Sequence, residues 1–407
     1  MIAKNNTKST TKLLLFFKYF WVIVILPKAV QFFALGMFLL IALNNEKIRI
    51  CRTTIYFVFG LVIQLFAIVV KVVLSKPDAS RIFAAVNTLG IWVIALLFFE
   101  LYRIKVFSEF ELKLLNQYIR FNLFVFICIY VFSLIYKENY VTVFGFKLWL
   151  KSYSYLDYGS QYRFVGFLES KLSSTHMFHF MIPLLYITLK GEKNTWKTVF
   201  LVLASFIATL SGYSRIGMIT CSVLLFGYIF GILQKSFLTR KMVHLTMWLF
   251  FAVVIMLGLI NYDGITQELY DLIYSRAGST NARVALYKET LNTVMNDSPI
   301  IGMGIKEIMI GGFLPLGSHC TYLGILFKCG ILGSAFFAFG FVSVIRKIWD
   351  TQKRKKDFIG LMVMFISYFG FIVFADIDGA NWYIVGVMSL WGMLCNIHQL
   401  NDEDKTM

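Results

Sequence analysis

Arginine and histidine are the side chains in this sequence best suited to handling a phosphorylated substrate. Five of them are the candidates for that work: Arg163, Arg215, Arg276, Arg283 and His319. Arginine presents a rigid, permanently charged donor fork that matches phosphate oxygens. Arg215 lies in SGYSRIGM at the start of an apolar stretch, where a guanidinium without a counter-charge is expensive; alone, it reads equally well as a snorkelling residue that fixes a helix end. Arg276 and Arg283, seven apart, share a helical face if a helix reaches back past Gly278. His319 stands in GSHCTYLGILFKCGILG, where a polar turn feeds a glycine-punctuated apolar run. Imidazole moves protons near neutral pH, and it also serves as a cap or a packing group.

Other constellations carry less. His176 and His179 in HMFH have the spacing of two ligands on one helical face, with no third ligand nearby, so helix packing explains them better than metal. Asp376 and Asp378 in ADIDG read as helix caps, with Asp376 an alternative base, and Glu169 has the same double status. Lys71 and Lys328 interrupt apolar stretches: Lys71 lies near a helix end and can snorkel, while Lys328 implies either a buried partner or a helix broken near Gly330. The six cysteines have neither metal nor redox spacing and read as packing residues. The sequence contains neither a phosphate-binding glycine loop followed by Lys-Ser/Thr nor a zinc-protease signature, which argues against an ATP-driven machine.

The elements that must position these residues are transmembrane helices. The chain is 58% hydrophobic and 17% aromatic, only 15% of its 407 residues are charged, and it has five prolines, a composition suited to lipid. Apolar runs able to cross about 30 Å of hydrocarbon recur along its length. They are expected at 12–27, 29–44, 53–75, 82–102, 118–137, 174–189, 196–212, 214–233, 242–261, 320–345, 357–376 and 381–398. The fold class is thus an all-α integral membrane protein of about twelve transmembrane helices. The first run has no cleavage site behind it and reads as an anchor. Pro27-Lys28 is either a turn between two helices or a kink in one.

Charge settles the parity. With the N-terminus inside, the inner segments carry Lys4, Lys8 and Lys12; Lys47, Arg49 and Arg52; Arg103, Lys105 and Lys113; Lys190, Lys193 and Lys197; Lys235, Arg240 and Lys241; and the RKIWDTQKRKKD run. Much of the net charge of +17 is therefore topological, and these runs face anionic lipid rather than nucleic acid. Both termini are then cytoplasmic. The layout is an N-terminal helical part (1–137, about five spans), a first outer loop (138–173), middle helices (174–261, about four spans), a large outer loop (262–319), and C-terminal helices with a cytoplasmic tail (320–407, about three spans). Within the large loop, 279–295 reads as an amphipathic helix with Ser279, Thr280 or Asn281 as N-cap and Val284, Leu286, Leu291 and Val294 as apolar positions, lying along the outer surface and stopped by Pro299 and the glycines of PIIGMG.

Four stretches, in this order and spacing, resemble the O-antigen polymerase and ligase superfamily, the Wzy-type polysaccharide polymerases in particular. QYRFVGFLESKLSSTHMF resembles its Arg-x-x-Gly stretch, SGYSRIGM its Ser-x-Ser-Arg-Gly helix opening, SRAGSTNARVALYKETLNTVMNDSPIIGMG its arginine loop and Pro-x-x-Gly-x-Gly turn, and GSHCTYLGILFKCGILG its His-Asn-x-x-Leu segment. Gly212, Tyr287 and Cys320 depart from the serine, tryptophan and asparagine common there. The resemblance implies a GT-C-like membrane glycosyltransferase using a polyprenyl-diphosphate oligosaccharide donor, with no cofactor and no metal. Arg215, Arg276 and Arg283 would hold the diphosphate, His319 would orient or deprotonate the acceptor hydroxyl, and Arg163, Glu169 and Tyr322 would contact diphosphate or glycan. The expected setting is a bacterial cytoplasmic membrane with the site facing outward. The expected partners are two lipid-linked oligosaccharides, membrane lipid, and a chain-length regulator and flippase of the same pathway. A ligase of the same superfamily and a flippase of lipid-linked sugars are the competing readings; the absence of an internal repeat weighs against the flippase.

Overall fold

A computed structural model describes residues 12–44, 48–143, 146–156, 159–168, 173–189, 195–212, 214–236, 256, 277–309 and 314–396. Helices dominate, as the apolar runs require. In chain order they are α1 (Leu15–Lys18), α2 (Phe20–Ile25), α3 (Lys28–Leu43), α4 (Arg52–Ser75), α5 (Ala79–Ile104), α6 (Glu109–Ile135), α7 (Ser173–Thr188), α8 (Thr195–Leu210), α9 (Arg215–Ser236), α10 (Ala277–Asp297), α11 (Thr321–Gln352), α12 (Phe358–Ile372) and α13 (Asn381–Leu394). Five stretches among the described residues are long and apolar enough to cross a membrane: Arg52–Ser75, Ala79–Ile104, Glu109–Ile135, Arg215–Lys235 and Thr321–Gln352. Lys28–Leu43, Lys197–Leu210 and Phe358–Ile372 are shorter apolar helices. Of the expected span at 242–261, only Met256 is described.

Leu26 and Pro27 are extended, so α2 and α3 are separate helices and not one kinked rod. Contacts fix their directions. The Tyr102 hydroxyl donates to Leu13 O at 3.0 Å and the Cys51 amide to Glu100 Oε1 at 2.7 Å, whereas Lys28 Nζ reaches Gly379 O at 2.9 Å. The chain thus leaves the end marked by Glu100 to Lys105, turns at Pro27 at the far end, and returns. Asn396 Nδ2 bonds Tyr102 O and Lys105 O, Gln352 Nε2 bonds Leu394 O, and Lys356 Nζ bonds Lys235 O, which gathers the basic segments at that first end.

At the centre stands α13, buried along its whole length with Trp382, Tyr383 and Trp391 fully enclosed. A helix apolar all round is stable only when covered on every side. Glycines let its neighbours and theirs approach closely, as small residues do in membranes. A Cβ on Gly392 would meet Phe99 O at 2.4 Å, joining α13 to α5, and one on Gly360 would meet the Gly231 backbone at 2.5 Å, joining α12 to α9. Outward-facing Phe59, Val62, Phe66, Val69 and Val73 leave α4 an exposed apolar face, the pattern of a lipid-facing helix.

Two parts of the sequence reading change. The 138–173 segment, expected only as an outer loop, carries strands: β1 (Tyr140–Val143) pairs antiparallel with β2 (Phe146–Trp149), and β3 (Lys151–Leu156) with β4 (Gly159–Phe164), as two separate hairpins. Short runs such as YVTV and FKLW alternate too briefly to stand out beside long apolar helices. The amphipathic helix runs from Ala277 to Asp297, longer than 279–295, with Gly278 inside it. Its apolar positions split. Leu286 and Val294 are buried with Met303, Leu316 and Phe327, while Val284 and Leu291 are exposed. The Leu286–Thr290–Val294 stripe, at i, i+4 and i+8, faces the protein.

The Pro299–Gly304 turn is threaded through a break in α11. Gly330 (φ 61, ψ −167) interrupts that helix and leaves backbone groups on both sides unpaired. The turn supplies partners. The Met303 and Gly304 amides donate to Phe327 O (2.7 Å) and Lys328 O (3.1 Å), and the Ile331 and Leu332 amides donate to Pro299 O (2.8 Å) and Ile300 O (3.1 Å). A Cβ on Gly302 would lie 2.4 Å from Gly330 N, and one on Gly304 2.5 Å from Ile68 N on α4, so neither position admits a side chain. Gly330→Ala is therefore expected to cost at least about 1–3 kcal/mol from backbone strain alone and to lower the thermal midpoint of the purified protein in detergent. An unchanged melt would mean the break relaxes freely.

Candidate functional site

His319 sits where three segments converge. Gly317 N–H donates to the buried Thr290 hydroxyl (2.9 Å), and the Tyr287 hydroxyl donates to His319 O (2.8 Å), which ties the turn to α10. From the other side, His319 N–H donates to Asp376 Oδ2 (3.3 Å), while the Thr321 hydroxyl donates to Ala375 O (2.6 Å) and accepts from Ile377 N–H (2.9 Å). His319 has φ +63, a left-handed backbone that few non-glycine residues adopt. Such strain persists where surrounding contacts over-determine the conformation, and it is enriched at working sites.

The electrostatics favour a neutral imidazole. Burial lowers the His319 pKa from 6.5, and the charges of Arg283 and Lys306 push the same way against the opposing pull of Asp376. At neutral pH the ring can therefore accept a proton. Tyr287 is pushed up to about 12 by burial, with Cys320 and Asp376 adding to the rise and Arg283 opposing it, so its hydroxyl stays a donor.

The two aspartates of ADIDG have separate duties. Asp376 Oδ2, besides the His319 amide, lies 3.5 Å from Lys306 Nζ. Asp378 Oδ2 takes Trp92 Nε1–H (2.9 Å) and a short ion pair with Lys328. Burial works against ionising Asp378, but Lys328 and then Lys306 override it and hold the carboxyl below the usual carboxylate range. Both alternatives for Lys328 hold together: it has a buried partner, and its helix is broken two residues on at Gly330.

Two of the arginines lie together, and a third stands beside His319. Arg163, on β4 opposite Ser152, is only 8% exposed, and its Nε has no hydrogen-bond partner among the described residues. Phe164 N–H donates to Ser211 O (3.1 Å), which docks the hairpin onto the end of α8, just ahead of Arg215. Arg215 opens α9 and is close enough that, after burial, its charge is the second cause lowering the Arg163 pKa. Arg283, half-buried on α10, acts on His319 and Tyr287 instead. Tyr322, on the first turn of α11, is 38% exposed and packs its ring edge against Phe341. Arg276 and Glu169 lie outside the described residues. His176 packs on Tyr383 and Phe371, and His179 Nδ1 lies 2.8 Å from Thr175 O, as the packing reading expects.

Sequence reasoning missed Lys306, the Asp378–Lys328–Trp92 network and the Tyr287 clamp. Lys306 had a signal: like the arginines, it is a cation outside the basic clusters, two residues beyond the PIIGMG turn. The pairing of Lys328 with Asp378, 50 residues apart, had none.

Removing one member of a buried ion pair strands the other's charge, at a cost of about 3–5 kcal/mol. Lys328→Met is expected to lower the melting midpoint sharply, and adding Asp378→Asn to recover most of the loss. Additive losses in the double variant would rule out the coupling.

No curated protein matches this chain. Residues 200–338, which hold Arg215, Arg276, Arg283 and His319, match the family described as O-antigen ligase. That match, over about a third of the chain, supports the likeness to the O-antigen polymerase and ligase superfamily.

Proposed function

We propose that the protein polymerises polyprenyl-diphosphate-linked oligosaccharide repeat units into a surface polysaccharide, O-antigen or capsule, at the outer face of a bacterial cytoplasmic membrane. The observation that carries this reading is the neutral, strained His319 beside Arg283 and Asp376, within the stretch that matches the family. The acceptor hydroxyl oxygen attacks the anomeric carbon of the donor sugar and gives its proton to His319, with Asp376 the alternative base. The glycosidic C–O bond to the diphosphate breaks, and the electron pair leaves on the polyprenyl diphosphate. Arg215, Arg276 and Arg283 hold that diphosphate and stabilise its growing charge, so fixed cations do the work of a Lewis acid. Arg163, buried beside Arg215, adds a fourth cation, and Glu169 and Tyr322 contact glycan. The donor linkage supplies the energy, and neither metal nor cofactor is required.

Twelve spans in a GT-C-like arrangement, with the five segments 1–137, 138–173, 174–261, 262–319 and 320–407, belong to the same proposal. Positive-inside bias puts the Lys235 end of α9 in the cytoplasm with both termini, which turns Arg215 and His319 outward. The product requires a flippase to deliver repeat units and a regulator to set chain length. The family match gives equal support to a ligase that transfers a finished glycan.

Polymer length and the lipid-linked pool separate the readings, in cells lacking the gene and restored with wild type or Arg215→Ala. Single repeat units without long polymer, in both the deletion and the variant, support polymerisation. Full-length polymer left on its carrier means a ligase, and repeat units trapped on the cytoplasmic face mean a flippase. In vitro, His319→Ala is expected to reduce polymerisation by about 10²–10⁴-fold. Because burial and the nearby cations lower the His319 pKa, protonation removes the base only as pH falls, and the midpoint of the wild-type rate's acid limb should lie below 6.5. Wild-type rates in His319→Ala would remove the histidine from the scheme.

Orientation is checked by impermeant thiol labelling: a cysteine introduced into 262–319 should react from outside, and one beside Lys355 should not. The reverse pattern would invert the topology.

A further inference from the structure

The segment leaving the threaded turn carries Lys306, which the scheme above leaves unused. Its placement is fixed. Ile305 is buried against Ile68 and Ala85, with its amide bonded to Met303 O at 2.7 Å. The acid next in sequence is already taken, since Glu307 pairs with Lys71 on α4 at 2.5 Å. Lys306 turns to Asp376 instead, at 3.5 Å, the long limit of a hydrogen bond, and shares that same Oδ2 with the His319 amide. Both side chains keep some access to solvent, 24% for Lys306 and 18% for Asp376. The neighbouring Lys328–Asp378 pair is tighter and almost fully enclosed.

The charges around His319 do not balance among the described residues. Arg283 and Tyr287 face it from α10, Lys306 from the 305–307 segment, Asp376 from the loop before α13, and Cys320 from its own turn. Lys328 and Asp378 cancel each other, leaving two cations against one carboxylate. A partly exposed site with excess positive charge and one loosely held ammonium is built to receive an anion. Lysine suits the part, because its ammonium is a compact charge on a flexible stem that can change partners.

The geometry points to Lys306 as a further anion-binding residue of the His319 site, one that exchanges Asp376 for a phosphate oxygen of the polyprenyl-diphosphate substrate. This rests on the polymerase reading and deepens it. Once Lys306 has moved to the phosphate, Asp376 keeps its bond from the His319 amide and loses its cation. An unneutralised carboxylate then lies beside the imidazole as it takes the acceptor proton, where it stabilises the imidazolium. Substrate arrival and base strength are coupled through one side chain.

The test uses the full-length chain in lipid nanodiscs, with undecaprenyl diphosphate, undecaprenyl monophosphate and inorganic pyrophosphate as probes and thermal unfolding as a folding control. Loss of one charge-assisted contact is expected to weaken diphosphate binding about ten- to a hundredfold in Lys306→Gln. Lys306→Arg should keep most of the affinity, and both variants should melt like wild type. Pyrophosphate affinity that falls in parallel shows that the headgroup alone is recognised. A fall confined to undecaprenyl diphosphate shows that the carrier is needed to seat it, and either result supports the assignment. Wild-type diphosphate affinity in Lys306→Gln overturns it, including the case where only the pH dependence of turnover shifts, because Lys306 would then act on His319 and Asp376 alone. Wild-type protein that binds no diphosphate probe overturns the polymerase reading as well, which separates the two failures.

Discussion

The architecture around the site depends on one constraint: a helix broken inside an apolar protein must find partners for the backbone groups it frees. Gly330 breaks α11, and the turn from Pro299 to Gly304 enters the gap, donating two amide hydrogens to one side and accepting two from the other. In hydrocarbon an unpaired peptide group costs several kcal/mol, so the turn and the break are stable only together. Gly302 and Gly304 follow from this, since backbone lies where their side chains would be. The turn leads directly to Lys306, and the N-terminal half of α11 leads back to His319, so the same interlock sets the spacing of both ends of the site.

A second layer of restraint comes from charge. Asp378 and Lys328 neutralise each other in the interior and, with Trp92, hold the loop that presents Asp376 to the His319 amide. Their pairing removes two charges from the field that substrate would feel and leaves Arg283, Lys306 and Asp376 to set it. Half-burial then matters twice. It keeps His319 neutral, and it strengthens each remaining electrostatic contact by excluding part of the water. At Arg163 the same physics acts on a guanidinium: burial, and then the charge of Arg215, lower its pKa.

Much of the fold was legible because lipid imposes a simple code. Long apolar runs must be helices, and of the twelve expected, eleven overlap helices, the first as two short ones, while of 242–261 only Met256 is described. Pro27 was ambiguous in sequence, and only the contacts of Leu13, Lys28 and Cys51 with distant partners resolved it as a turn. The hairpins at 140–164 were missed because their strands are short and their polar faces look like loop. The helix expected at 279–295 was found, running over 277–297, but its apolar positions could not show which stripe is covered: Leu291 and Val284 are as apolar as Leu286, and only the position of Phe327 and Met303 decides that.

By itself, the sequence determined the class of molecule and the side chains available to meet a charged substrate, because composition, hydropathy and residue type are local properties. It marked Arg163, Arg215, Arg283 and His319 by their chemistry and by their distance from the basic clusters. Tertiary structure decided which of them meet. It set Arg163 against Arg215 and Arg283 against His319, gave Asp376 and Asp378 different partners, and brought in Lys306. Those choices depend on how a broken helix and a glycine turn interlock, and contacts between residues tens of positions apart leave no periodicity in the chain to be read.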